Sequence, residues 1–170
     1  MKLVLMASSN GHLLDELKDL VILVLTDKDA PIIDKARGLG IPVMIIMNDV
    51  QLNHILVTEH FDHIMLCGYL KILPKSITDK FSIFNTHPSL LPKYGGMFGK
   101  NIHSTVLRNK DTETRVTVHK VTEVVDGGEI VAQKVVKILP KDTYLTLEHR
   151  VKQAEKILLK EFFNSLDVND

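Results

Sequence analysis

The segment Asn85-Thr86-His87-Pro88-Ser89-Leu90-Leu91-Pro92 places a carboxamide and an imidazole two residues apart, with two prolines constraining the backbone that follows. A carboxamide that donates a hydrogen bond, beside a ring that can move a proton, suits acyl transfer, where an oxyanion forms. The pair sits at the end of an expected β-strand, where residues two apart point to the same side. At the carboxyl end of a strand in an open parallel sheet, that side faces the crevice where ligands bind. Downstream, Val125-Asp126-Gly127-Gly128 supplies a carboxylate on a turn. Asp126 can hold the His87 ring in one tautomer or stabilise its charged form. Each residue also has a plain reading. Asn85 can cap a turn, His87 can pack against Pro88, and Asp-Gly is a common hairpin turn. The combination, more than any one residue, points to a site.

The elements that must position these groups follow from hydrophobic spacing. Lys2 to Ala7 reads as a buried strand running into the Ser8-Ser9-Asn10-Gly11 loop, and His12 to Leu20 has helical spacing. Val21 to Leu25 is a second strand. Pro31 opens the next helix, which Gly38 or Gly40 ends. Val43 to Met47 is a third strand, and Asn48 or Asp49 caps a helix reaching roughly His60. Asp62 to Leu66 and Ile83 to Thr86 are further strands. This alternation predicts an α/β fold, an open parallel sheet with helices on both faces. After Arg115 the pattern changes to an antiparallel hairpin, Arg115 to Val121 and Glu129 to Ile138, around the Asp126-Gly127-Gly128 turn. Thr146 to Leu166, with Leu147, Val151, Ile157, Leu158 and Phe162 at helical spacing, predicts a long C-terminal helix. Residues 1–170 read as one domain, without repeat or linker.

Composition narrows the class. An apolar fraction of 45% and a charged fraction of 25% are those of an ordinary globular protein. Basic and acidic residues balance at 21 each, which argues against a general nucleic-acid binder. The single cysteine, Cys67, excludes an internal disulfide and reads as a small buried thiol. No signal-peptide pattern and no bilayer-length apolar stretch is seen, so the expectation is a cytoplasmic protein without a membrane partner. His54, His60 and His63 share no helical face, and no zinc or other metal site is expected. His103 and His149 read as helix-surface residues. His119, on a strand with Thr117, reads either as a core histidine or as a second layer behind the pocket. The Ser9-Asn10-Gly11 loop lacks the three spaced glycines of a dinucleotide fingerprint and the lysine of a P-loop, which leaves a single phosphate as its ligand or an ordinary tight turn.

Through most of its length the chain resembles the folate-dependent glycinamide ribonucleotide formyltransferases. The similar elements are the opening strand with Asn10-Gly11, Thr26-Asp27-Lys28, Ala36-Arg37-Gly38-Leu39-Gly40-Ile41, Gly68-Tyr69-Leu70-Lys71-Ile72-Leu73, Val118-His119 and Asp126-Gly127-Gly128. Asn85 to Tyr94 is the most specific, and Tyr94-Gly95-Gly96-Met97-Phe98-Gly99 is similar to a glycine-rich variant of the family. The resemblance implies a Rossmann-like, mostly parallel sheet and formyl transfer from 10-formyltetrahydrofolate, as co-substrate, to the amine of glycinamide ribonucleotide. It implies Asn85, His87 and Asp126 as the catalytic set. It assigns Leu70, Lys71, Ile72 and Leu73 to one border of the folate ring, and Thr122, Glu123, Val124, Val125 and Asp126, with Asn85, to the other. Ser9, Asn10, Gly11, His12 and Leu13 match the phosphate loop. Lys152, Gln153, Ala154 and Glu155 match the helix segment facing the ribonucleotide, with Glu155 the ribose contact.

Two departures accompany the match. The family usually follows this glycine with Ser-Asn or Thr-Asn, whereas Gly11 is followed here by His12 and Leu13. Leu13 has only its backbone amide to offer a phosphate. The third helix also has no arginine for the folate tail. The altered loop keeps open a second acceptor, such as an amino sugar carried on a nucleotide. A folate-binding module without catalysis, and hydrolysis of the formyl group, are the other readings. The expected assembly is a monomer or homodimer. Whether the Gly95 to Gly99 loop closes over substrate is left open by sequence.

Overall fold

Strand β1 (Leu3–Met6) is buried at all of its residues, as a strand covered on both faces must be. The computed structural model describes residues 1–167. The chain divides into two compact units, Met1–Asn85 and a second beginning at Thr86.

The first unit alternates strand and helix: β1, α1 (Leu14–Leu17), β2 (Val21–Thr26), α2 (Ile32–Gly38), β3 (Val43–Ile45), α3 (Asp49–Thr58), β4 (His63–Leu66), α4 (Lys75–Thr78) and β5 (Ile83–His87), whose last two residues belong to the second unit. All pairings are parallel, in the order β3-β2-β1-β4-β5. Right-handed crossovers then put α1 and α2 on one face and α3 and α4 on the other. The strand order reverses between β1 and β4. The connections out of these two strands run to helices on opposite faces from that switch point, where an open parallel sheet makes its crevice. Asn48 is the cap of α3. Its side chain accepts from the Gln51 N–H at 2.9 Å, and Gln51 reaches back to the Met47 N–H at 2.8 Å.

The second unit holds α5 (Lys100–Arg108), the antiparallel pair β6 (Glu113–Lys120) and β7 (Ile130–Lys137), and α6 (Tyr144–Asp167). Helix α6 packs against β6, β7 and α5. It buries Leu147, Val151, Ala154, Leu158, Leu159, Phe162 and Phe163, a stripe at three- and four-residue spacing. Just before α6, Asp142 takes both Arg150 guanidinium nitrogens at 2.7 and 2.9 Å and the Leu139 N–H at 2.8 Å. Arg150 accordingly holds the Asp142 carboxyl far below the usual carboxylate range.

The expected class is found: a mostly parallel α/β arrangement, an antiparallel pair and a long C-terminal helix. Several details differ. Helix α1 is a single turn rather than His12 to Leu20, because the chain is still turning at Gly11–Leu14 and must reach β2 at Val21. The connection between β6 and β7 spans residues 121–129, one residue longer at each end than expected, and Asp126 lies in a turn closed by the Gly127 N–H on the Val124 carbonyl at 3.1 Å. Ile157 faces outward, since Leu158 and Leu159 take the core side of that turn. Helix α4 lacks a hydrophobic stripe long enough to read from sequence.

Candidate active site

Within the second unit, the end of β5 and the 121–129 loop bring two predicted residues together. His87 Nδ1 lies 3.3 Å from Asp126 Oδ2, and both side chains are nearly buried. Asp126 Oδ1 lies 3.4 Å from His119 Nε2 on β6. The Gly96 N–H donates to Asp126 Oδ2 at 2.8 Å. His87 Nε2 is 2.9 Å from the Tyr94 carbonyl, so the 94–96 backbone touches both the ring and the carboxylate. Asp126 takes up φ +52°, a left-handed conformation uncommon outside glycine, which turns its carboxylate inward from an exposed loop. Tyr94 is fixed by its hydroxyl on Asp111 at 2.5 Å, and Lys93 reaches the same carboxylate at 2.8 Å.

Burial pushes His87 below the ordinary histidine value. The Asp126 charge and the Tyr94 carbonyl oppose this, while His119 adds to it. Burial also works to raise Asp126. The hydrogen bond from His119, the Gly96 N–H and the His87 charge together outweigh it, and the carboxyl lies below its usual range. The site therefore favours an ionised carboxylate beside an imidazole that gives up its proton readily.

In β5, Thr86 leaves the strand on the face opposite His87. Its hydroxyl donates to Glu155 Oε1 at 2.5 Å, in the second unit. Asn85, the last residue of the first unit, is half-buried and in register with Leu66 of β4.

Within the first unit, the loops after β1 and β4 are tied to each other. The Ser8 N–H donates to the Gly68 carbonyl at 3.1 Å, and Ser8 Oγ accepts from the Leu70 N–H at 3.0 Å. Leu13 N–H points to Cys67 Sγ at 3.4 Å, and His12 Nδ1 lies 3.6 Å from the same sulfur. Gly11 has φ +54°, and a Cβ there would come within 2.1 Å of Ile32 Cδ1, so no other residue fits without displacement.

Residues 1–162 match the formyl transferase family profile. The chain belongs to the formyl transferase family. A chloroplastic phosphoribosylglycinamide formyltransferase of Arabidopsis thaliana is 33% identical over 162 residues, covering 87% of this chain and 56% of that protein. A phosphoribosylglycinamide formyltransferase of Haemophilus influenzae is 45% identical over 96 residues, covering 55% of this chain and 44% of the other. The crystal structure of a phosphoribosylglycinamide formyltransferase from Streptococcus pneumoniae superposes with a TM-score of 0.87 at 26% identity, over 97% of this chain and 98% of that one. The chain spans about half the length of the curated relatives it first matches.

Several predicted contacts of this formyl transferase look inward instead. Leu13 is fully buried and its amide is taken by Cys67, so it offers a phosphate neither side chain nor N–H in this structure. Leu73 and Ala154 belong to the core of their respective units. Glu155 is buried and accepts from the Thr86 hydroxyl, and Lys152 is paired with Glu148 at 2.5 Å. Ser9, Asn10, Lys71, Thr122, Glu123 and Gln153 are exposed, and Gly11 is buried. Sequence reasoning missed Ser8, Thr86 and the Tyr94–Gly96 backbone. The glycine pair after Tyr94 was the available signal. Among the described residues no cluster of three or more His, Cys, Asp or Glu could hold a metal ion, and no helix is long and apolar enough to cross a membrane.

His103 is a further correction. It is buried with Ile102 and Val106 on the side of α5 that packs on α6, and its Nδ1 has no hydrogen-bond partner among the described residues. Burial pushes its ring below the ordinary value, with Lys152 adding and Glu148 and Glu155 opposing. His87 and His103 thus both stay neutral in the fold at a pH where the unfolded chain already binds protons. Stability then falls as pH drops through the ordinary histidine value of about 6.5, and keeps falling until the folded rings protonate. The urea midpoint should be lower at pH 5.5 than at pH 8, with a shallower dependence in His103→Leu. A midpoint equal at the two pH values would contradict this.

Proposed function

We propose that this formyl transferase moves the formyl group of 10-formyltetrahydrofolate to the amine of glycinamide ribonucleotide, a step of de novo purine synthesis. The observation that carries the reading is the contact of Asp126 with His87, two residues beyond Asn85, in a chain whose family match runs over residues 1–162. The amine attacks the formyl carbon. The Asn85 carboxamide and the His87 Nε2–H stabilise the oxyanion of the tetrahedral intermediate. Asp126 favours the charged form of the ring as negative charge builds on the oxygen, while the proton passes from the amine to the departing folate nitrogen. The His87 Nε2–H lies on the Tyr94 carbonyl. Reaching an oxyanion therefore requires that carbonyl to yield, and Gly95 and Gly96 beside it give the backbone that freedom.

The ring-bordering segments each carry large apolar side chains more than half exposed: Leu70 (69%) and Ile72 (68%) in one, Val124 (61%) and Val125 (55%) in the other. Such residues suit an apolar ligand surface. Ser9 to His12 is the phosphate segment of this reading, Lys152 and Gln153 the exposed part of the ribonucleotide segment. A cytoplasmic enzyme, monomeric or dimeric, fits the composition.

The inward turn of Leu13 favours one second reading, transfer to a different amine such as a nucleotide-linked amino sugar. One assay separates the possibilities. Purified protein is given 10-formyltetrahydrofolate with glycinamide ribonucleotide, an amino-sugar nucleotide or no acceptor, and folate absorbance is followed. Turnover only with glycinamide ribonucleotide is expected. Turnover only with the sugar supports the second reading. Formate release without acceptor indicates hydrolysis, and folate binding without turnover a non-catalytic module.

A further inference from the structure

We propose that Asp111 is a positioning residue of the transfer site, acting through Tyr94: it clamps the Tyr94 ring by its hydroxyl, and the clamped residue presents the carbonyl that keeps hydrogen on His87 Nε2. The proposal deepens the formyl-transfer reading and rests on that reading in its kinetic arm alone.

Asp111 is brought there by the way α5 ends. The Asp111 N–H donates to the Val106 carbonyl at 3.4 Å and the Lys110 N–H to the Leu107 carbonyl at 3.0 Å, while Lys110 takes up φ +57°. This is a Schellman stop with lysine where glycine is usual, and it turns the chain off the helix just before β6. The Asp111 carboxylate then meets two consecutive residues of the 92–96 segment. Tyr94 donates its hydroxyl hydrogen to Oδ2 at 2.5 Å, and Lys93 Nζ reaches the two oxygens at 2.8 and 2.9 Å. Asn109, the C-cap of α5, donates to the same Tyr94 oxygen at 3.1 Å. The hydrogen bonds from Lys93 and Tyr94 hold the Asp111 carboxyl below its usual range, so it remains an acceptor. The Tyr94 ring is buried, its hydroxyl is satisfied as donor and as acceptor, and its backbone N–H is on the Leu90 carbonyl at 3.1 Å.

The carbonyl of this anchored residue lies 2.9 Å from His87 Nε2, and Asp126 Oδ2 lies 3.3 Å from Nδ1. Both neighbours accept, and a neutral ring has one N–H to give. The Asp126 contact is longer than the usual N–H···O range of about 2.7–3.2 Å, and the Tyr94 contact is within it. The carbonyl therefore keeps the hydrogen on Nε2, the nitrogen that meets the oxyanion. An unclamped Tyr94 lets that oxygen drift. Asp126 is then the nearer acceptor, the hydrogen moves to Nδ1, and Nε2 turns a bare lone pair toward the oxyanion. Gly95 and Gly96 still let the carbonyl turn aside during transfer, and the clamped ring returns it to one place afterwards.

Three variants test the path. Tyr94→Phe removes the hydroxyl and keeps the buried ring. Asp111→Ala removes the clamp, and Asp111→Asn keeps an oxygen for the Tyr94 hydroxyl. The readouts are the His87 ring nitrogens by NMR at about pH 8, where burial keeps the ring neutral, and kcat and KM for both substrates. The unaltered protein should carry hydrogen on Nε2. Tyr94→Phe and Asp111→Ala should shift it toward Nδ1 and lower kcat about tenfold with KM unchanged. Asp111→Asn should keep the tautomer and most of the rate. Tyr94→Phe combined with Asp111→Ala should be no slower than either alone, since both cut one path. Loss of packing alone would lower the urea midpoint and leave the ring nitrogens as they are. That result in every folded variant overturns the proposal, as does a double variant whose two losses multiply. If Asp111→Ala does not fold, Tyr94→Phe against Asp111→Asn decides the question. Absence of transfer in the unaltered protein defeats the function reading instead, and the nitrogen spectra still decide the role of Asp111.

Discussion

Asn85→Ala should leave a folded protein that transfers formyl groups 10²- to 10³-fold more slowly, roughly 3 kcal/mol of lost transition-state stabilisation. The carboxamide sits at the strand's end, half-buried, with its backbone still paired to β4. Truncating it opens no core cavity, so the thermal midpoint should stay within a few degrees. A donor aimed at an oxyanion works chiefly after the tetrahedral carbon forms. The loss should therefore appear in kcat with little change in KM. Asn85→Asp is the sharper partner, since it keeps the shape but replaces the donor with a second negative charge, and should be at least as slow. A kcat within threefold of the unaltered enzyme for Asn85→Ala, in a preparation otherwise active on glycinamide ribonucleotide, would remove the carboxamide from the mechanism.

What the sequence shows of this molecule depends on the range of the interactions. Strands β1 to β5 are legible because each is a short apolar run bounded by polar residues, and their alternation with helices dictates a parallel sheet. The His87–Asp126 contact was legible as a combination of residue types. Its geometry was not, because it depends on a left-handed Asp126 backbone within a loop that reads as a plain Asp-Gly turn. The inward turn of Leu13 was hidden for a related reason: its amide partner is a sulfur far along the chain. His103 looked like a surface residue because α5 is polar along most of its length, and only packing against α6 shows which side is covered. The resemblance added roles for residues that spacing alone could not assign. It named Glu155 as a ribose contact, and in this structure the carboxylate is buried and accepts from the Thr86 hydroxyl.

Two glycines should respond to alanine with opposite signs, and the larger effect links loop geometry to the site. A Cβ at Gly128 would come within 1.9 Å of the Lys120 carbonyl oxygen and 2.9 Å of its carbon. Both are backbone atoms next to the point where the Lys120 N–H donates to the Glu129 carbonyl at 2.9 Å, so neither can swing aside as a side chain would. Gly128→Ala must shift the strand end or the loop, and overpacking of this kind destabilises by about 3 kcal/mol. The displaced oxygen is the one His119 Nδ1 donates to, so the shift also disturbs the ring that faces Asp126. Activity should fall along with the urea midpoint. Gly38, at the end of α2, has nothing within 4 Å of its added Cβ. Alanine there should raise stability by roughly 0.5–1 kcal/mol through helix propensity and leave transfer unchanged. If Gly128→Ala unfolds at the same urea concentration as the unaltered protein, the close packing of loop 121–129 on β6 is wrong. The placement of Asp126 between two imidazoles would lose its support with it.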